Sequence, residues 1–156
     1  MRIIIKIVTD AIIFILMLLF IYAATFKLLD FTSFKFYLGA SPLFGKGVSG
    51  IMAAGIPLVE FGVATLLFMP RFRLMGLYAS LVLMLGFTAY IAYYVVFNMA
   101  ERPCACGGIL NSMGWTEHLI FNIVFTLMSA AGIFLQVRLD RQQYKTSSIY
   151  RVEAME

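Results

Sequence analysis

Charged side chains are scarce in this chain of 156 residues. Lys, Arg, Asp and Glu make up 13% of the sequence and hydrophobic residues 62%, whereas an ordinary soluble domain is about 25% charged. A soluble domain of this length could not bury so much apolar surface, so the composition excludes that class. The net charge of +4 comes without a basic patch interleaved with aromatic residues, and we therefore expect no nucleic-acid partner.

Charge is absent or nearly absent from four long hydrophobic runs. These runs reach the length at which a helix crosses a bilayer, about 20 residues. The helices predicted in chain order are about 7–28, 48–69, 74–98 and 117–137. We expect an all-α fold, a polytopic membrane four-helix bundle that forms one domain over 1–137 in the lipid bilayer.

Lys and Arg are distributed unevenly between the two ends of the predicted helices. The N-terminus, the short turn between helices two and three, and the tail carry eight of them, whereas the two longer loops carry four. Because cytoplasmic segments are enriched in Lys and Arg, we expect both termini and the tail, 138–156, in the cytoplasm. Arg2 and Lys6 resemble the start of a signal peptide, but the apolar run after them is too long for one, so we expect an uncleaved helix.

Cysteine occurs only twice, as Cys104 and Cys106 in the last loop. A disulfide between them would close a three-residue loop, and such a loop stabilises the fold by only about 1.5 kcal/mol. The ring would also be strained, and strain makes a disulfide easier to reduce. The pair is therefore better suited to thiol–disulfide exchange than to holding the fold together.

Two alternatives for the cysteine pair stay open. Cys104, Cys106 and His118 could bind copper or zinc, but the sequence offers no evident fourth ligand for a structural zinc site, and we predict no metal site. The pair could also be structural. The proline before it and the two glycines after it favour exchange, because they hold the backbone in an open turn.

Glu60 is the only ionisable residue within the second hydrophobic run. An ionisable group in mid-membrane is costly and usually faces a partner or a polar cavity. It is a candidate proton relay or cofactor contact, and the alternative is a neutral acid that joins helices. Lys27 and Asp30 are expected to form a pair at the membrane interface, and they could reach toward Glu60 only if the helices shift inward.

Trp115, His118 and Asn122 recur at spacings of three and four residues, so they share one helix face beside the cysteines. His118 could transfer protons during thiol exchange or quinone reduction. The alternative is an interfacial tryptophan with a histidine that caps the helix.

Four sequence elements together carry a family resemblance. They are Tyr22-Ala23-Ala24-Thr25-Phe26-Lys27, Pro57-Leu58-Val59-Glu60, Cys104-Ala105-Cys106-Gly107-Gly108, and Trp115-Thr116-Glu117-His118 followed by Asn122. Over about residues 5–137 the chain resembles the MauE/DoxX-like redox-associated membrane proteins. The Cys-x-Cys-x-Gly element is the most specific part and favours the MauE branch over the quinone-linked DoxX branch.

This resemblance implies a multi-pass protein of the bacterial inner membrane that exchanges disulfides with a periplasmic thioredoxin-like protein. It does not by itself imply methylamine metabolism. A possible thiol–disulfide oxidoreductase would use Cys104, Cys106 and His118 as catalytic residues.

A membrane quinone is the simplest electron acceptor, since no resident cofactor is indicated. Glu60, Trp115 and Asn122 are the candidate residues that bind it. The alternatives are a non-enzymatic membrane anchor or assembly subunit that docks a partner in a membrane complex, and a copper-binding membrane protein.

Overall fold

Long apolar helices make up most of the structure, a computed structural model that describes residues 2–41, 45–97 and 114–153. Those ranges contain no β-strand. In chain order the helices are α1 (Arg2–Leu29), α2 (Phe31–Ala40), α3 (Gly45–Phe68), α4 (Arg73–Val96) and α5 (Trp115–Glu153), with a 3₁₀ turn at Pro70–Phe72. All but α2 are long and apolar enough to cross a membrane, which confirms the predicted all-α bundle of four spans.

The four long helices form a ring in which α1 and α4 each pack on both α3 and α5. Residues three, four or seven apart share a helix face, so apolar residues at these spacings form one apolar face on each helix. These faces pack together at the centre of the bundle. The buried core consists of Ile13, Leu16, Phe20, Val63, Ala64, Leu67, Leu77 and Met84.

Small residues bring neighbouring helices close together. A Cβ atom added to Gly76 of α4 would lie 2.9 Å from the backbone nitrogen of Leu67 in α3, so only glycine permits this approach. Between α4 and α5, Ser80 donates a hydrogen bond to Ser129 over 3.3 Å. Close backbone contact and hydrogen bonds between helices are what hold bundles together in lipid, where apolar burial favours no partner.

The two ends of the bundle are marked by different contacts. At one end, called the turn end, Arg73 donates a hydrogen bond to Asp10 over 2.7 Å. At the other, called the loop end, the hydroxyl of Tyr94 donates to Ser41 over 2.8 Å, and the Tyr94 ring stacks on Trp115. At the loop end, α4 therefore contacts both the residue that follows α2 and the first residue of α5.

Helix α2 lies between the first and second predicted spans, in one of the two longer loops. Its 10 residues reach about 15 Å, too short to cross a bilayer. Phe34 and Leu38, one turn apart, are buried against Ala53 of α3. Hydrophobic periodicity is weak in so short a segment, so the sequence alone does not indicate the helix. Its packing against α3 stabilises it.

Helix α5 continues to Glu153, through most of the segment 138–156 that the sequence marks as a polar tail. A helix satisfies its own backbone hydrogen bonds, so it can extend after the apolar residues end. Along this part the guanidinium group of Arg138 lies 4.1 Å from the ring centre of Phe134. The end of the apolar run and the end of the helix are thus different positions.

Candidate functional site

A buried ion pair joins α1 to α3 inside the bundle. Lys27, in the last turn of α1, donates a hydrogen bond from its ammonium group to a carboxylate oxygen, Oε1, of Glu60. The two side chains are 6% and 0% exposed. Each charge compensates the other, which is what makes their burial tolerable.

Aromatic rings surround the ammonium group of Lys27. Its nitrogen lies 4.8 Å from the ring centre of Phe87 in α4 and 5.9 Å from that of Phe34 in α2. Both distances fall within the range of cation–π attraction, about 6 Å. The cation is thus held by groups from α1, α2, α3 and α4 together.

The second carboxylate oxygen of Glu60, Oε2, has no hydrogen-bond partner in the part of the chain that the structure describes. A buried carboxylate oxygen without a partner costs free energy. Glu60 also lines a cavity. The residues of the cavity wall therefore include a buried hydrogen-bond acceptor that no described residue satisfies.

His118 and Asn122 contribute the polar groups of α5. They are 3% and 5% exposed, and the Asn122 amide donates a hydrogen bond to the His118 backbone oxygen over 2.9 Å. The helix begins just before them at Trp115, where Glu117 accepts a hydrogen bond from the Gly114 backbone amide over 3.1 Å. This bond is the capping-box contact from the third helical residue back to the residue before the helix, and it stabilises the start of α5.

A cavity of about 320 Å³ brings these polar groups together. Its polar side chains are those of Lys27, Glu60, Tyr90, His118 and Asn122. The rest of its wall is apolar and is contributed by all five helices. A mostly apolar cavity with a few convergent polar groups is typical of a small-molecule binding site.

The predicted site residues fall into three groups. Glu60, His118 and Asn122 all line the cavity, so the fold brings together residues that are far apart in the sequence. Trp115 is not among the lining residues and instead stacks on Tyr94, with ring centres 4.8 Å apart and an angle of 11° between the planes.

The two predicted catalytic cysteines form the third group. Cys104 and Cys106 lie outside the described residues. The described chain that leads to them ends at Phe97 and resumes at Gly114, beside the contact of Tyr94 with Trp115 at the loop end.

Lys27 lines the candidate site, whereas the sequence predicts it at the membrane interface. The expected interfacial pair of Lys27 and Asp30 is wrong, because Lys27 is buried against Glu60 while Asp30 is exposed. One signal could have found the true partner. A lone acid in one charge-poor helix and a lone base in the next are expected to pair, since each is costly in the membrane without the other.

Metal ligands do not cluster in the described ranges: no three His, Cys, Asp or Glu side chains come close enough there to hold an ion. The copper alternative depends on Cys104 and Cys106, which are outside those ranges.

Comparison with known proteins gives one match. A family model described as methylamine utilisation protein MauE matches residues 5–135, close to the range over which the sequence resembles that family. Searches of curated proteins and of solved structures found no match. The matched range includes the whole cavity and most of all four spans. The chain therefore belongs to the family of methylamine utilisation protein MauE and is a membrane protein of that family.

Proposed function

We propose that the protein is the membrane component of a thiol–disulfide exchange. Cys104 and Cys106 exchange electrons with a periplasmic thioredoxin-like protein, and the cavity binds a membrane quinone that accepts those electrons. The observation that carries the proposal is the cavity near the loop end, in which an ion pair, an imidazole and an amide converge among apolar walls.

The exchange step uses both cysteines. A thiolate of the partner attacks the Cys104–Cys106 disulfide and forms a mixed disulfide with one of the two sulfurs. The partner's second thiolate then attacks that mixed disulfide, which leaves the partner oxidised and both Cys104 and Cys106 as thiols.

Reoxidation of the cysteine pair needs an acceptor for two electrons and two protons. A quinone takes up both and leaves as hydroquinone, while Cys104 and Cys106 return to the disulfide. The ammonium of Lys27 can donate a hydrogen bond to a carbonyl oxygen of the ring, and His118 and Glu60 can carry protons. All three side chains line the cavity.

Chain length limits how far the cysteines can lie from the loop end. Cys104 follows Phe97 by seven residues, and Cys106 precedes Gly114 by eight. An extended residue spans at most about 3.6 Å, so both sulfurs stay within roughly 30 Å of the loop end. A reach of this length allows the thiols to approach a ring bound in the cavity.

The proposal includes an orientation in the bacterial inner membrane. Eight of the twelve Lys and Arg residues belong to the N-terminus, the short turn and the tail. With those segments in the cytoplasm, the cysteines face the periplasm, where disulfides persist.

The quinone step and the thiol-exchange step are tested separately, beginning with the quinone step. Purified wild-type protein with reduced cysteines is mixed with a quinone, and both free thiols and hydroquinone are measured. We expect one hydroquinone for each pair of thiols lost, and none from the Cys104→Ala, Cys106→Ala double variant. If the wild-type thiols persist, the quinone step is wrong.

The exchange half is tested with single-cysteine variants in cells. Cys106→Ser and Cys104→Ser should each be examined for mixed disulfides with thioredoxin-like proteins. At least one variant is expected to trap such a partner. Failure of both, together with full activity of the double Ala variant, would favour a docking subunit without thiol chemistry.

A further inference from the structure

Two residues that line the cavity are exposed on the outside of the bundle. Val82 is 69% exposed, and Gly86, one turn further along α4, is also exposed. A Cβ atom added to Gly86 would meet no other atom within 4 Å. A wall residue that is also exposed marks a place where the cavity opens to its surroundings.

The opening lies between α3 and α4. Near the turn end these helices touch, since Gly76 of α4 packs on the backbone of Leu66 and Leu67 in α3. Val59 precedes Leu66 by seven residues and so lies on the same side of α3, yet it is 52% exposed. The two helices therefore separate between the level of Leu66 and the level of Val59.

The opening is at mid-membrane height. Val59 precedes the end of α3 at Phe68 by nine residues, and Val82 follows the start of α4 at Arg73 by nine. At about 1.5 Å per residue, both lie some 13 Å from the turn between the helices. This depth is within the hydrocarbon of a bilayer about 30 Å thick. The cavity thus opens sideways toward lipid tails.

The size of the cavity restricts what it can hold. Its volume, about 320 Å³, is at the low end of small-molecule sites, which span about 300–1,000 Å³. A substituted benzoquinone ring is compatible with this space, but a long isoprenoid tail would need more. A tailed ligand must therefore leave part of itself outside.

We infer that the cavity is a binding site for a tailed quinone whose ring lies near the Lys27–Glu60 pair and whose tail leaves between α3 and α4 past Val82 and Gly86. The inference rests on the proposed function and adds the ligand's orientation and its route. The ring carbonyls meet the polar groups of the cavity, while the tail stays in the apolar surroundings from which the ligand comes.

The single tryptophan of the chain provides the readout. Trp115 lies one helical turn before His118, which lines the cavity, so a bound quinone is expected to quench its fluorescence. The protein in lipid nanodiscs is titrated with a decyl-tailed ubiquinone analogue and with the same dimethoxy-methyl-benzoquinone ring without a tail.

Gly86→Phe fills the opening, and Gly62→Phe is the matched control. Gly62 is an exposed glycine of α3 with no atom near an added Cβ, and it does not line the cavity.

We expect Gly86→Phe to weaken binding of the tailed quinone by about tenfold or more, because the first tail carbons lose their apolar contacts. Gly86→Phe should bind the tail-less ring as tightly as the wild type does. Gly62→Phe should bind both ligands as tightly as the wild type does. Val82→Phe, at a position that is already exposed and without a second tryptophan, should repeat the result if Gly86→Phe does not fold.

Different failures have different meanings. If the tailed quinone quenches the wild type, and Gly86→Phe and Val82→Phe bind it equally well, the tail does not leave here and this inference is wrong, while the proposed function stands. If the wild type binds neither quinone, or retains only phospholipid, the quinone step of the proposed function is overturned and this inference with it.

Discussion

The ammonium group of Lys27 at the end of α1 donates a hydrogen bond to the carboxylate of Glu60, which lies 33 residues further along the chain in α3. Both side chains are buried among apolar and aromatic residues. Four helices contribute to the surroundings of this pair, and the same two groups form part of the cavity wall. A contact that stabilises the bundle is therefore also part of the candidate binding site.

Loss of the lysine should destabilise the fold strongly. Lys27→Met leaves the Glu60 carboxylate buried without its cation, and removal of one partner of a buried pair costs about 3–5 kcal/mol. The free energy of unfolding in mixed detergent micelles measures the effect. Lys35→Met is the control, because Lys35 lies on the exposed side of α2. Equal stability of the two variants would mean that the pair contributes nothing.

Exchange of the two charges tests the pairing itself. Lys27→Glu and Glu60→Lys should each be less stable than the wild type, because each places two like charges in contact. The double variant restores opposite charges and should regain part of the lost stability. A double variant as unstable as the sum of the two single changes would argue against a direct interaction.

Close packing of α3 and α4 should make Gly76 intolerant of any side chain. Gly76→Ala places a methyl group 2.9 Å from a backbone nitrogen of α3, and such overpacking costs about 1–3 kcal/mol. Gly62→Ala is the matched control, since its methyl group meets open space. Unfolding midpoints of the two variants in detergent give the comparison. Similar midpoints would show that the helices separate easily.

Trp115 should report on the contact that joins α4 and α5 at the loop end. Its ring stacks on Tyr94, so Tyr94→Ala uncovers one face and should shift its fluorescence to longer wavelengths. Tyr78→Ala, at an exposed position near the turn end of α4, should leave the emission unchanged. An unchanged spectrum in Tyr94→Ala would indicate that the stacking does not persist in the bilayer.

His118 should matter for quinone reduction and not for exchange with the partner. His118→Gln removes a group that can carry a proton, and loss of a general acid or base slows a reaction by about 10²–10⁴-fold. Hydroquinone formation is measured beside the rate of thiol exchange with a thioredoxin-like protein. Thr116→Val, an exposed position on the same helix, is the control. An equal loss in both rates would indicate a structural role for His118.

The site was only partly predictable from the sequence. Trp115, His118 and Asn122 were expected on one helix face because such spacing is a local property of a helix. The structure places His118 and Asn122 on the cavity wall, while Trp115 turns to Tyr94. Helical spacing specifies which residues share a face, but it does not specify which residues or cavity that face contacts in the folded protein.

Composition and run length by themselves determined the class of protein and its four spans. Hydrophobic runs long enough to cross a bilayer have no stable alternative in water, and a span satisfies its backbone hydrogen bonds within itself. These are local properties, so they can be read from one segment at a time. The family match extends over the same spans.

Tertiary structure alone decided that Lys27 pairs with Glu60, that α2 packs on α3, and that a cavity forms among all five helices. Each depends on which helix faces meet and at what height, and small residues such as Gly76 set those relations. In lipid, apolar burial gives no preference among apolar helix faces. Steric fit and a few polar contacts between residues far apart in the chain therefore determine which helix faces pack together.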